Sequence, residues 1–135
     1  MNPKYFLSVA GVILIVVGVL GLVGGIIGQT PGDSLFGSIW YFNSVEIWAH
    51  LVVGIFAVLC AFLLSQRIQE FICVVFGIML IALGFYILLG NYDLLGAHFE
   101  HPADTFFNFI FGVWAIMAGA KLNGNGSKSV KNSTV

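Results

Sequence analysis

Charge is nearly absent from this sequence. Charged residues make up 8% of its 135 residues, where a soluble domain carries about a quarter. That excludes a water-solvated surface for most of the chain. The net charge is -1, so the basic patch that nucleic-acid binding requires is missing as well. Cysteine is equally sparse. Cys60 and Cys73 both lie inside apolar runs, with no C-x-x-C and no Cys/His cluster at zinc spacing. Two free, buried thiols are expected, and no metal site. There is also no Ser-His-Asp arrangement, no H-E-x-x-H and no phosphate loop. No catalytic residue and no cofactor are expected, and the chain reads as non-enzymatic.

Apolar residues are abundant instead. They account for 59% of the chain, and the mean hydropathy is +1.02. They fall into four blocks, about 5–28, 45–64, 71–90 and 105–120. A bilayer core takes about 20 apolar residues in helical form. The expected fold is therefore all-α: a polytopic membrane protein of four transmembrane helices. The first block is too long for a signal peptide's apolar core and reads as a retained span. Residues 1–122 form the transmembrane domain, and 123–135, rich in Asn, Gly, Ser and Lys, read as a disordered cytoplasmic tail. All five basic residues (Lys4, Arg67, Lys121, Lys128 and Lys131) fall on one side of the spans. The positive-inside rule then makes both termini cytoplasmic. Trp40, Tyr41, Phe42 and Trp48 are expected to form an outer aromatic belt. Neither outer connection exceeds about 16 residues, too short for an extramembrane domain of any size.

The sequence also repeats itself. Glu46-x-x-x-His50-x-x-x-Gly54 recurs 58 residues later as Asp104-x-x-x-Asn108-x-x-x-Gly112. Upstream of each copy runs a glycine ladder: Gly11, Gly18 and Gly24, then Gly77, Gly84 and Gly90. A duplicated pair of helical hairpins with pseudo-two-fold symmetry follows. Within lipid, small residues let helix backbones approach closely, which makes Gly11, Gly18, Gly54, Gly77, Gly84 and Gly112 the expected packing positions. Spans two and four each carry a stripe of small residues with polar groups at the outer end, and both stripes are expected to face the bundle interior.

Those polar groups are the candidate site. Asn43 and Glu46 fit a capping box. Asp104 fits the same role if His101 caps and Pro102 takes the first helical position. His50 is placed to bond the Glu46 side chain and, like any ionisable group within a span, is a functional hypothesis by default. Glu46, His50, Asp104 and Asn108 would together carry a ligand, quinone or proton site. The plainer alternative is a neutral His50 acting as interhelical glue with Glu46 or Asn108. His98-Phe99-Glu100-His101, with Asp104 beyond, has a generic metal-catching spacing, but a solvated polar loop is the expected state. Trp114 is expected to pack rather than to touch a cofactor.

The run Asn43 to Gly54, ending His50-Leu51-x-x-Gly54, resembles the first signature of a family of small bacterial four-span proteins catalogued as domain of unknown function 4383. Asp104 to Gly112 resembles its second, with Asn108 where the family has histidine and Thr105 where it has asparagine. The resemblance implies the four-span fold in a bacterial inner or internal membrane, and it implies no activity. The leading expectation for function is an accessory or structural subunit, in contact with the lipid bilayer and with other membrane subunits or copies of itself. A small-molecule or proton-handling site at the outer ends of spans two and four is the alternative. An oligomeric channel or transporter ranks third, because the interior stripe turns small and apolar below His50.

Overall fold

The computed structural model describes residues 2–120, so the tail and its lysines lie outside the described residues. The chain forms four helices: α1 (Pro3–Val23), α2 (Ser44–Leu63), α3 (Gln66–Leu88) and α4 (Ala103–Gly119). The first three are long and apolar enough to cross a membrane, while α4 is shorter at 17 residues. Twenty residues of helix rise about 30 Å, the thickness of a bilayer core.

Helix ends follow local chemistry. The apolar block that opens the chain outlasts α1, because Gly24 and Gly25 take positive φ values of 77° and 84°. Only glycine adopts that conformation without penalty, and it terminates helices. Gly90, at φ 87°, does the same after α3. At its other end α3 begins five residues before the apolar block, since Gln66 to Glu70 are good helix formers. Among them, Gln69 is buried, and its side-chain amide donates to the carbonyls of Cys60, Ala61 and Leu64. It thereby supplies a donor to carbonyls at and just beyond the C-terminus of α2.

The helices pair as α1 with α2 and α3 with α4, and α1 also touches both α3 and α4. Each pair crosses at facing glycines. A side chain on Gly11 would meet the Gly54 carbonyl oxygen at 2.8 Å, and one on Gly54 would meet that of Gly11 at 2.8 Å. In the other pair, Gly77 faces the Gly112 carbonyl at 2.7 Å, and Gly112 faces that of Gly77 at 3.0 Å. Gly18 packs on Leu51, and Gly84 packs more loosely on the Phe109 ring. The small-residue stripes of α2 and α4 thus meet their own hairpin partners, α1 and α3, rather than each other.

Two apolar cores result. At the end holding the N-terminus and the α2–α3 turn, Phe6, Leu7 and Ala10 pack with Cys60, Ala61, Cys73, Ala115 and Ala118, drawing on all four helices. Both cysteines there are free and buried. Trp114 packs edge-on against Phe6 at 5.0 Å. At the opposite end, Ile27, Phe42, Ile47 and Leu51 form the second core. The two long connections, 24–43 and 89–102, cover this end. The second of them contains a short antiparallel ladder of β1 (Asp93–Leu94) and β2 (Ala97–His98).

A candidate carboxyl site beneath the connecting loops

Glu46 begins as a local cap. Asn43 accepts the backbone N–H groups of Val45 and Glu46, and Glu46 accepts the Asn43 N–H at 2.8 Å. This is the capping box read from the sequence. The Asn43 amide also donates to the Gly96 carbonyl at 2.9 Å, tying the helix start to the second loop. Glu46 is nevertheless almost fully buried, at 3% exposure, which a surface cap does not need.

Asp104 departs from the sequence expectation. Helix α4 starts at Ala103, so Pro102 precedes the helix and His101 does not cap it. The His101 ring is instead hydrogen-bonded with the Thr105 hydroxyl. Asp104 reaches backwards and sideways. One carboxylate oxygen accepts the Glu100 backbone N–H at 2.8 Å, and the other accepts the Trp40 indole N–H at 3.2 Å. Trp40 therefore leaves the expected aromatic belt. It stacks on Phe107 at 5.1 Å and joins the first loop to α4. Phe42 leaves the belt too, becoming core with its ring stacked on His50 at 4.6 Å. Trp48 stays exposed.

The pairing of His50 with the Glu46 side chain is also corrected. The His50 ring bonds the Glu46 backbone carbonyl at 2.7 Å, one helical turn back. Asn108 does the same with the Asp104 carbonyl at 2.8 Å. Both polar groups are satisfied within their own helices, the usual fate of a polar side chain that finds a free carbonyl lone pair one turn away.

The sequence reading placed Glu100 in a solvated loop and left it out of the site. It lies in the loop expected to be solvated, yet it is 5% exposed, and neither carboxyl oxygen makes a hydrogen bond. The Tyr41 phenol and the Asp104 carboxyl are its nearest polar neighbours. Burial, then the neighbouring Glu46 and Asp104 carboxyls, push the Glu100 acid up to about 9 from an ordinary 4.5. The Tyr41 phenol is pushed up by its own partial burial and by Glu100 and Glu46. An acid one turn before a helix start has the same sequence signature as a solvated loop residue, and only the tertiary fold separates the two. His98 pairs with the exposed Asp93 at 2.8 Å and takes no part in the cluster through its side chain.

Glu46, Glu100 and Asp104 thus converge, each offering an oxygen within 4.8 Å of the others. The described cations, Lys4 and Arg67, stand at the starts of α1 and α3, at the opposite end of the molecule. A buried group of three carboxyls must hold protons or a cation to avoid like-charge repulsion. No protein-family model, curated protein or solved structure matches the chain.

Proposed function

We propose that this chain is a non-enzymatic, four-span membrane protein whose working part is a cation-handling site, for protons or metal ions, at the outer ends of spans two and four. The observation that carries the reading is the Glu100 carboxyl, buried beside Glu46 and Asp104 without a hydrogen bond. An orphaned buried acid costs stability, and a cost of that kind is typical of functional sites. The sidedness follows from Lys4 and Arg67 lying at the end opposite the cluster, which makes the cluster end extracytoplasmic under the positive-inside rule. The paired glycine crossings support the duplicated-hairpin architecture. Infrared difference spectra of the reconstituted protein test the function. A carboxyl band that changes on a pH step or on adding a divalent ion, and is missing from Glu100→Gln, is expected. Carboxyl bands silent to both would sink the reading.

An accessory-subunit role is the second reading. It is favoured by the apolar groove along α4 lined by Phe106, Phe109, Ile110, Val113, Trp114 and Met117. Purification in nanodiscs followed by mass spectrometry tests it, with a reproducible stoichiometric membrane partner as the expected result.

A further inference from the structure

An acidic cluster alone says little, since carboxylates often gather without a ligand. Here a second observation points inward. Glu100 is 95% buried by its 5% exposure, and both of its oxygens lack any hydrogen-bond partner while lying with the other two acids. The remaining acids are held differently. The Asn43 N–H orients Glu46, and the Trp40 indole and the Glu100 N–H orient Asp104. Such outer donors fix a ligand's direction while leaving lone pairs free. The arrangement has two pre-oriented carboxylates and one with both oxygens available.

We propose that Glu46, Glu100 and Asp104 bind a divalent cation of calcium's size. This deepens the cation-handling reading above and rests on it. Oxygen-only donors select hard cations over zinc or copper. Calcium sits about 2.3–2.6 Å from its oxygens, so three evenly spaced oxygens share one ion at about 4.0–4.5 Å from one another; magnesium, at about 2.1 Å, needs them at about 3.6 Å. The three acids, with oxygens within 4.8 Å of one another, close onto calcium with a smaller shift than magnesium would demand. A divalent charge also offsets two of three negative charges where Lys4 and Arg67 are too distant to help. Tyr41 and His98 beside the cluster are only half-buried, which leaves the ion a short route from solvent.

The test uses the full chain in nanodiscs, stripped with a chelator. Terbium is the probe, since Trp40 next to Asp104 can sensitise its luminescence, and calcium, manganese and magnesium are the competitors. Calcium should displace terbium and raise the thermal midpoint, with magnesium weaker. Glu100→Gln should weaken the apparent calcium affinity by about tenfold or more, as expected for the loss of a charged ligand. Asp93→Asn, an exposed acid at the same end, should respond like the wild type. The wild-type displacement needs no variant, so a misfolded Glu100→Gln leaves the test intact. No divalent response in the wild type, or an equal response in wild type and Glu100→Gln, overturns the site. If the wild type then still gains stability on acidification and Glu100→Gln does not, the shared-proton form of the reading survives. If neither responds, both fall.

Discussion

Glu46 and Asp104 occupy matching places in the two hairpins, yet they are held in different ways. Glu46 is anchored by its own helix start, through a reciprocal bond with Asn43 three residues away. Asp104 is anchored by Trp40, 64 residues distant, and by a loop N–H. One acid is held chiefly at its own helix start, with the His98 backbone of the second loop also facing it, and the other is a joint between hairpins. The glycine crossings show the opposite behaviour, since Gly11 on Gly54 and Gly77 on Gly112 are nearly the same contact made twice. The two halves are thus alike where backbones meet in the bundle and unlike where the loops close over its end. Packing tolerates little variation in a close helix crossing, while loops covering a bundle end are freer to differ.

Substitutions at the crossings should have the largest effect and should treat the halves alike. Gly11→Leu and Gly77→Leu each place side-chain atoms where a partner backbone already lies, within 2.8 Å. Each is expected to cost about 3 kcal/mol, the upper end for overpacking, read by thermal or detergent unfolding. An effect in only one hairpin would break the likeness. The acids should then split. Asp104→Asn replaces an oxygen acceptor by an amide donor facing an N–H, and is expected to cost about 2 kcal/mol. Glu46→Gln keeps a capping-box acceptor and should cost about 0.5 kcal/mol or less. Equal losses in the same unfolding assay would remove the contrast between local cap and joint. Between these two, Trp40→Phe keeps the stacking on Phe107 but deletes the indole donor, for about 1 kcal/mol. Its loss should shrink in an Asp104→Asn background, because the shared bond is already broken.

The sequence carried the parts of this account that depend on periodicity and local chemistry. Long apolar runs marked the helices, the Asn43–Glu46 spacing marked a cap, and the glycine ladder marked close crossings. Gly24 and Gly90 belonged to that ladder by spacing, but they act as left-handed helix stops, a conformational role that spacing alone does not separate from packing. What escaped was long-range. The bond of Trp40 to Asp104, the stack of Phe42 on His50 and the burial of Glu100 all arise from loops folding onto helix ends. Interfacial aromatics and loop acids carry the same sequence signal whether they face solvent or core.

The pH dependence of stability tests the buried carboxyl cluster most directly. Glu100 is raised to about 9 in the fold from an ordinary 4.5. Between those values the folded chain holds a proton that the unfolded chain has released, so its stability falls as pH rises through that window. The groups facing Glu100 are Glu46, Asp104 and the Tyr41 phenol. In chelator, wild-type unfolding midpoints should therefore decline steadily from pH 5 to pH 9. Glu100→Leu, which removes the orphaned acid, should be more stable than wild type at the alkaline end and show a much shallower decline. Parallel curves for the two proteins, with the variant no more stable at alkaline pH, would contradict a buried, unpartnered Glu100 at the centre of the site.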